Sequence, residues 1–197
     1  MSKGDLIIIS GPSGAGKGTL VRGLLARVPR LWCAISATTR PPRPDERDGV
    51  DYYFLPPEEF DRRERAGEFL ETAEVHGNRY GTLRGPVEDR IRECYRVVLE
   101  IDPQGAMQVR RNAKDSVLVF VRAPSEAELR RRLARRGSET PEEVETRMRT
   151  AEQELKLVGS YDFVVINDDV RRATDELVRI VESLPPKERD PSHGHPA

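Results

Sequence analysis

The sequence is poor in cysteine, and neither sign of charge is in excess. Two cysteines, Cys33 and Cys94, in 197 residues exclude a disulfide framework and predict reduced, buried thiols in a cytoplasmic protein. The 33 Lys and Arg residues balance 34 Asp and Glu residues, so the chain lacks the basic character of a nucleic-acid-binding protein. The histidines and cysteines do not have metal-ligand spacing, so they predict no metal centre.

Long hydrophobic runs are also missing. No apolar stretch approaches the roughly 20 residues that a membrane-spanning helix needs, and the first residues do not have the pattern of a signal peptide. These absences predict a protein without a membrane partner. The length suits one compact domain with its own core. Residues 185–197 are rich in proline, histidine and charge, and this composition predicts a disordered tail.

Short apolar runs alternate with segments of helical periodicity. The runs that are typical of buried strands are Leu6–Ile9, Val97–Ile101, Val117–Val121 and Phe163–Ile166. Between them, apolar residues recur at steps of three and four, as in Val144, Met148, Ala151 and Leu155. The alternation predicts an α/β fold of three layers, built on a doubly wound parallel sheet.

A glycine-rich segment directly follows the first predicted strand. Gly11-Pro12-Ser13-Gly14-Ala15-Gly16-Lys17 matches the first seven positions of the phosphate-binding loop, or P-loop. Glycines let backbone N–H groups approach phosphates, and Lys17 adds a full positive charge. The pattern predicts ATP as the phosphate donor. Its predicted loop contacts are Gly11, Ser13, Gly14, Ala15, Gly16, Lys17, Gly18 and Thr19.

The eighth position departs from this pattern, because Gly18 stands where a Ser or Thr hydroxyl usually reaches Mg²⁺. We still expect Mg²⁺ as the cofactor that arrives with ATP, and we assign it no direct protein ligand. Glu100 and Asp102 end a predicted strand, so they are the candidates to orient metal-bound water. Asp102 has a second interpretation as the cap of a helix that begins at Pro103.

Several further blocks resemble the guanylate kinase family of P-loop nucleoside monophosphate kinases. They follow the family's order and, with the phosphate loop, extend the resemblance over about residues 5–184. The blocks are Ser36–Glu46 with Gly49–Phe54, Glu68–Glu71 with Gly77–Thr82, Ile101–Gly105, Arg136–Thr140 and Val165–Asp169. The resemblance implies one domain over residues 1–184. Its implied parts are a core (1–35, 91–123 and 151–184), an inserted GMP-binding subdomain (36–90) and a helical lid (124–150).

The resemblance implies that the second substrate is GMP. In the family, two arginines and two tyrosines bind the phosphate of GMP, and three polar residues recognise its guanine base. A carboxylate such as Glu71 can accept both the N1–H and the 2-amino group of guanine, while a hydroxyl can donate to O6. The implied GMP-binding residues are Ser36, Arg40, Arg43, Glu46, Tyr52, Glu71, Tyr80, Thr82 and Asp102.

The implied reaction is phosphoryl transfer from ATP to GMP in purine nucleotide metabolism, with Lys17, Arg136 and Arg147 as catalytic residues. Asn167 matches a position near the adenine of ATP, although a loop asparagine equally suits a turn or a helix cap. Two alternatives stay open, namely a related kinase for a ribose bisphosphate and a non-enzymatic binding module. Glu71 with its hydroxyl partners argues against the first, and Lys17 with the intact glycines argues against the second. We expect a monomer or a small homo-oligomer.

Overall fold

The structure, a computed structural model, describes residues 5–75, 77–135 and 140–185. The strands in these ranges are β1 (Leu6–Ser10), β2 (Leu31–Cys33), β3 (Ser36–Thr38), β4 (Tyr53–Phe54), β5 (Phe69–Val75), β6 (Asn78–Leu83), β7 (Arg96–Glu100), β8 (Val117–Arg122) and β9 (Phe163–Ile166). The helices are α1 (Lys17–Leu25), α2 (Pro57–Arg65), α3 (Arg84–Arg92), α4 (Pro103–Asn112), α5 (Glu126–Ala134), α6 (Pro141–Leu155) and α7 (Val170–Ser183), with a short 3₁₀ turn at Val158–Ser160. None of the helices within the described ranges is long and apolar enough to cross a membrane.

A parallel sheet in the order β2-β7-β1-β8-β9 forms the centre of the molecule. Ile8 of β1 lies opposite Leu99 of β7 on one side and opposite Leu118 of β8 on the other. All of β1 is buried, as expected for a central strand that is covered on both faces. The four strands predicted from apolar runs are β1, β7, β8 and β9, and the predicted α/β fold on a parallel sheet is confirmed.

Helices cover both faces of this sheet and complete the three layers. On one face, Leu24 of α1 and Leu177 of α7 pack with Ile7 in a buried cluster. On the other face, Ile91 of α3 and Val109 of α4 pack with the opposite side of the sheet. Helix α3 therefore rests on the main sheet, although all but its last two residues fall within the segment 36–90.

A smaller sheet in the order β4-β3-β6-β5 lies beside the main one. Its apolar face packs on α2, where the rings of Phe60 and Phe69 stack with centroids 4.4 Å apart. Gln108 of α4 attaches this sheet to the core, because its side chain accepts from Thr72 N at 3.1 Å and donates to Thr72 O at 2.8 Å. Asn112 of α4 adds a bond to the Leu70 carbonyl at 2.8 Å.

A β-bulge at the start of β5 decides which way its side chains point. Phe69 lies opposite Leu83, but Glu71 lies opposite the adjacent residue Thr82, so Leu70 is the extra residue. Leu70 is fully buried and packs in the cluster that α3 and α4 form with the main sheet. Without the bulge, Phe69 and Glu71 would face the same side of the sheet. With it, Phe69 enters the apolar cluster on α2 and Glu71 faces the opposite side.

Helix α5 and residues 141–150 of α6 lie in the predicted lid (124–150), and α6 continues beyond it to Leu155. Leu129 and Leu133 of α5 pack against Val144, Met148 and Ala151 of α6 in a separate buried cluster, as the periodicity predicts. Helix α6 begins with a capping box, in which the side chains of Thr140 and Glu143 each bond to the other's backbone N–H.

The two cysteines form no disulfide. The prediction that they are buried is wrong, because both are only half-buried. Cys33 ends β2, which is an edge strand of the main sheet, and Cys94 lies in the turn after α3 with a positive φ of 63°. Burial nevertheless raises the pKa of the Cys33 thiol to about 11, and the negative charge of Glu100 makes a smaller contribution in the same direction.

Candidate active site

The phosphate loop, Gly11–Thr19, runs from the end of β1 into α1 and needs glycine at two crowded positions. Gly11 has a φ of 141°, and a Cβ there would lie 2.0 Å from the Val121 carbonyl oxygen. Gly16 has a φ of 90°, and a Cβ there would lie 2.3 Å from the amide nitrogen of Asn167. The loop therefore lies directly on β8 and on the segment after β9, and larger residues at these two positions would displace it.

Asn167 supports the phosphate loop through a buried hydrogen bond. It is 2% exposed, and its amide nitrogen donates to the Ala15 carbonyl at 2.8 Å. The helix-cap interpretation of Asn167 is wrong, because Asp169 caps α7 by accepting from Arg172 N. Its side chain is instead committed to the phosphate loop in this structure.

Arg132 of α5 adds a second brace that sequence reasoning missed. Its guanidinium donates to the Asn167 carbonyl at 2.8 Å and to the Ala15 carbonyl at 3.4 Å. Glu128 orients it through a bond of 2.7 Å to Nε. No sequence signal distinguishes Arg132, because it lies in a run of three arginines on a polar helix.

Lys17, the first residue of α1, lies across its own loop. Its ammonium group donates to the carbonyls of Gly11 and Pro12, the latter at 3.1 Å. Glu100, at the end of β7, is a neighbouring charge. Desolvation raises the pKa of Glu100, while the positive charges of Lys17 and Arg22 act in the opposite direction.

The lid reaches the phosphate loop through Arg147 of α6, whose guanidinium donates to the Ser13 hydroxyl. The predicted catalytic pair of Lys17 and Arg147 is thus brought to one loop. Arg136, the third predicted catalytic residue, lies outside the described residues. Thr19 is exposed and accepts from Arg22 at 3.3 Å.

Three predicted base-reading residues form one row across the small sheet, which we call the base row. Ser36 of β3 and Glu71 of β5 each lie opposite Thr82 of β6, so all three side chains project from the same face. The Thr82 hydroxyl donates to Glu71 Oε1 at 2.8 Å. Thr82 thus fixes the orientation of the carboxylate in this structure, and its one hydroxyl proton is used there.

Glu71 is buried at the junction of the small sheet and α4. It is 6% exposed, and a Cβ on Gly105 of α4 would lie 2.9 Å from Oε2. Burial raises the pKa of Glu71 to about 7; the Thr82 hydrogen bond lowers it and the negative charge of Asp102 raises it further. A buried carboxylate whose donors all come from Thr82 is suited to a ligand that brings further N–H donors.

Asp102 joins the two halves of the site. Its Oδ1 accepts from Gly105 N at 2.7 Å, so the prediction that Asp102 caps α4 is confirmed. It lies two residues after the end of β7, which pairs with the strand that leads into the phosphate loop, and its charge acts on Glu71.

The predicted phosphate-holding residues form a second group on the same face as the base row. Arg40 makes a bidentate ion pair with Glu46, at 2.8 and 2.9 Å, and its guanidinium lies 5.4 Å from the centroid of the Tyr52 ring. The Tyr52 and Tyr80 rings meet edge to face at 6.1 Å. Tyr80 lies two residues before Thr82 on β6, which places both side chains on one face.

Glu46 organises this group. It also accepts from the backbone N–H of Arg43 at 2.8 Å, and these bonds, that of Arg40 above all, lower its pKa. Because the Glu46 carboxylate stays ionised, it holds the Arg40 guanidinium in one orientation. Arg43 is exposed, and its positive charge makes a smaller contribution to the lowered pKa of Glu46.

Within the described ranges, no group of three or more His, Cys, Asp or Glu side chains could hold a metal ion. Sequence reasoning also missed Gln108 and Asn112, which hold the small sheet to α4. Amides on a helix surface give no signal of this role until the fold is known.

Comparison with known proteins agrees with this geometry. A sequence model described as guanylate kinase matches residues 3–184. The chain is similar to a guanylate kinase of Symbiobacterium thermophilum, with 51% identity over 91% of this chain and 85% of the relative. It is similar to a guanylate kinase of Rubrobacter xylanophilus, with 49% identity over 93% of this chain and 96% of the relative.

Solved structures give the same result. The crystal structure of guanylate kinase from Anaplasma phagocytophilum superposes with a TM-score of 0.73 and 33% identity, covering 93% of this chain and 87% of that one. Shikimate kinase from Bacteroides thetaiotaomicron superposes with a TM-score of 0.50 at 15% identity over 90% of this chain and 98% of that one, which shows a shared fold only.

Proposed function

We infer that this chain, which belongs to the guanylate kinase family, transfers the γ-phosphoryl group of ATP to GMP and gives ADP and GDP in purine nucleotide metabolism. The observation that carries the inference is the buried Glu71 carboxylate in the base row. Guanine presents two adjacent N–H donors to such a carboxylate. Adenine presents no such pair, so it would leave Glu71 without the partners that its burial demands.

In this proposal the base row reads the guanine edge. Glu71 accepts from N1–H and the 2-amino group. Thr82 keeps the carboxylate in place, since its hydroxyl already donates to Oε1. Ser36 is then the hydroxyl that donates to O6, because it lies next to Thr82 in the same row.

The GMP phosphate binds beside the base row. Arg40 supplies a guanidinium that is already oriented by Glu46 and by the Tyr52 ring. The hydroxyls of Tyr52 and Tyr80 complete the phosphate site, and the exposed Arg43 closes on it from the loop. A pre-oriented arginine fork loses little conformational freedom when the phosphate arrives, which favours binding.

ATP binds with its phosphates in the phosphate loop, where the α1 N-terminus and backbone N–H groups face them. Lys17 leaves the carbonyls of its own loop and moves to the β- and γ-phosphates. Arg147 and Arg136 neutralise the transferring group from the lid. In-line transfer needs alignment and charge neutralisation rather than covalent catalysis by the protein, and these residues supply both.

Mg²⁺ fits this site as an ion that ATP carries in. The available oxygen donors suit a hard cation, and Mg²⁺ retains several waters in such sites. A Cβ on Gly18 would lie 3.3 Å from Glu100 Oε1, so the Glu100 carboxylate stands beside the space that a hydroxyl at position 18 would take. Glu100 is therefore the better candidate to orient metal-bound water, because Asp102 uses Oδ1 to cap α4. When bound, Mg²⁺ would neutralise phosphate charge.

The proposal places the enzyme in the cytoplasm as a monomer or a small homo-oligomer, with ATP and GMP as its substrates. The free thiols of Cys33 and Cys94 are compatible with a reducing compartment.

A substrate panel tests the proposal. Release of ADP is measured with GMP, AMP, CMP, UMP and a ribose bisphosphate as acceptors, and we expect turnover with GMP far above the others. Preference for the ribose bisphosphate would support the related-kinase alternative. ATP binding without any acceptor turnover would support a binding module.

The Glu71→Gln variant tests the base row directly. The amide keeps one acceptor but directs its own donors at the guanine donors, so kcat/KM for GMP should fall about 10- to 100-fold, the equivalent of roughly 1–3 kcal/mol. ATP affinity should stay within twofold. Glu74→Gln, an exposed site on the same strand, is the matched control. Unchanged GMP kinetics in Glu71→Gln would remove Glu71 from the proposal.

A further inference from the structure

One side of helix α4 contacts β5 on both sides of Glu71. The Gln108 side chain bonds to the N–H and the carbonyl of Thr72, and Asn112 donates to the Leu70 carbonyl at 2.8 Å. Thr72 and Leu70 are the residues directly after and directly before Glu71. Spacings of three and four residues place the contacting residues on one side of the helix. We call this group the α4 template, and its members are Gly105, Gln108 and Asn112.

The two amides of the template act on backbone groups of an edge strand. Strand β5 lies at the edge of the small sheet, so one side of its backbone faces away from β6. Successive residues of an antiparallel strand direct their N–H and carbonyl groups to alternate sides. Gln108 supplies one acceptor and one donor to Thr72, as a neighbouring strand would do. The backbone that carries Glu71 is therefore held by α4 on one side and by β6 on the other.

Helix α4 is itself fixed in the core. Its residues Ala106 and Val109 are buried in one cluster with Ile8 and Leu118 of the main sheet. Asp102 caps its first turn. A helix that is packed in this way shifts little relative to the sheet, because protein interiors are close-packed. The α4 template thus places Glu71 relative to the same sheet that leads into the phosphate loop.

Gly105 leaves space for the Glu71 carboxylate. It is buried inside α4, and a Cβ there would lie 2.9 Å from Glu71 Oε2. Glycine is a poor helix former, and the position within α4 does not need its conformational freedom. The missing side chain therefore matters for space. On its other side the carboxylate is held by the Thr82 hydroxyl, 2.8 Å from Oε1. Glu71 is located between this hydroxyl and a bare turn of α4.

We propose that the α4 template determines base specificity, with Gly105 and Gln108 as positioning residues that hold the Glu71 carboxylate where it accepts both N–H donors of guanine. This inference rests on the proposed function, since it requires GMP as the acceptor. A contact with two hydrogen bonds tolerates less displacement than one with a single bond, because two distances and two angles must be met together. Displacement of the carboxylate should therefore cost GMP more than inosine monophosphate (IMP), which lacks the 2-amino group.

Gly105→Ala tests the space beside the carboxylate in the full-length protein. The methyl group displaces Glu71 Oε2 and removes no hydrogen bond of the template. We expect kcat/KM to fall about tenfold or more for GMP and less than about threefold for IMP, because small misplacements of a binding group have large effects. The ratio of kcat/KM for GMP to that for IMP should therefore fall. The melting temperature should not fall, because alanine is the better helix former.

Gln108→Met tests the backbone contacts. Methionine has a similar length but forms neither bond to Thr72, so the ratio for GMP and IMP should fall by about threefold. Gln153→Met, the same substitution at an exposed position of α6, is the matched control and should keep the wild-type ratio. Steady-state kinetics with both acceptors, KM for ATP and melting temperature are measured for every variant. KM for ATP should not change, since the phosphate loop is untouched.

Separate outcomes distinguish the two proposals. A wild-type protein without GMP kinase activity would overturn the proposed function. An active wild type, with the ratio for GMP and IMP unchanged in either Gly105→Ala or Gln108→Met, would overturn only the role of the α4 template. An equal loss for GMP and IMP together with a lower melting temperature would show that the template only stabilises the fold, and would also overturn its role in specificity.

Discussion

The phosphate loop and the base row differ in what they present to a substrate. The loop offers backbone groups, and its glycines are required by close contacts with Val121 and Asn167. The base row offers side chains, which are oriented by one another across three strands. Backbone groups recognise phosphate whatever base is attached, whereas the base row depends on the identity of each side chain. Substitutions in the first region should therefore change catalysis, and those in the second should change substrate choice.

The two regions also differ in how they are supported. Ala15 of the loop belongs to the large buried cluster of the main sheet, so the loop cannot shift without disturbing that core. Among the described residues, the small sheet has its own smaller buried cluster of Ala37, Phe60, Phe69 and Leu83, with Tyr53 and Leu55 packed against it. The amides of Gln108 and Asn112 fasten it to α4 at β5. The donor site is thus part of the core, and the acceptor site is joined to it.

The largest expected effect is on the loop side. Lys17→Met should lower kcat by about 10³-fold or more, because it removes the one full charge that the loop supplies to the transferring phosphates. KM for GMP and the preference for GMP over AMP should change little. Steady-state kinetics with both acceptors measures this, with Lys156→Met, an exposed lysine, as the control. Loss of base preference in Lys17→Met would contradict the assignment of base recognition to the base row alone.

A smaller effect is expected from the phosphate group beside the base row. Arg40→Ala should weaken GMP and AMP alike by about 10- to 100-fold, since charge-assisted hydrogen bonds contribute roughly 1.5–3 kcal/mol. The ratio of kcat/KM for the two nucleotides should stay constant, because the phosphate carries no base identity. Arg47→Ala, an exposed arginine in the same segment, is the control. An altered ratio with unchanged affinity would contradict the assignment of Arg40 to the phosphate.

The main sheet could be predicted from the sequence, whereas the orientation of Glu71 could not. Buried parallel strands appear as apolar runs, so β1, β7, β8 and β9 were visible. The bulge at Leu70 leaves no such signal, because one extra residue in a short strand resembles ordinary variation. The resemblance to a family named Glu71, but only the pairing with Thr82 explains why it faces the base row.

Residues that act on the backbone of another segment were the least predictable. Asn167 and Arg132 brace the Ala15 carbonyl from positions that are distant in sequence. Their partner is a backbone group, which every residue has, so no sequence pattern reveals the pairing. Asp102 was predictable as a cap because its partner, Gly105 N, lies on the adjacent helix turn.

A still smaller effect is expected from pH, through the ionisation of Glu71 in the base row. The pKa of Glu71 is raised to about 7 by burial, so a substantial fraction is protonated near neutral pH without GMP. Only the ionised form accepts both guanine donors, so binding lowers this pKa and releases a proton. GMP affinity should therefore rise by about tenfold in total as the pH increases from about 6 to 8, because the rise is steepest below the pKa of free Glu71 and levels off above it.

Calorimetry of GMP binding in buffers of different ionisation enthalpy measures the released proton. The GMP phosphate itself titrates near a pKa of about 6, so Glu71→Gln serves as the control that retains only that contribution. A binding heat that shows the same buffer dependence in both proteins would mean that Glu71 is already ionised before GMP arrives.

The smallest effect is expected at Gly18, and it separates the glycines that the loop requires from one that it does not. Gly11 and Gly16 have positive φ angles and would place a Cβ within 2.0 and 2.3 Å of neighbouring atoms. At Gly18 a Cβ would instead meet the Glu100 carboxylate oxygens at 3.3 and 3.4 Å, which are the ends of a flexible side chain. Gly18→Ser should therefore fold normally and keep KM for ATP within about threefold, because its hydroxyl can donate to Glu100 or take the place of a water near the metal. Gly16→Ala should lose ATP binding in the same assay. If Gly18→Ser were as damaging as Gly16→Ala, the space beside Glu100 would be needed by the nucleotide itself, and the proposal that Glu100 orients metal-bound water there would be wrong.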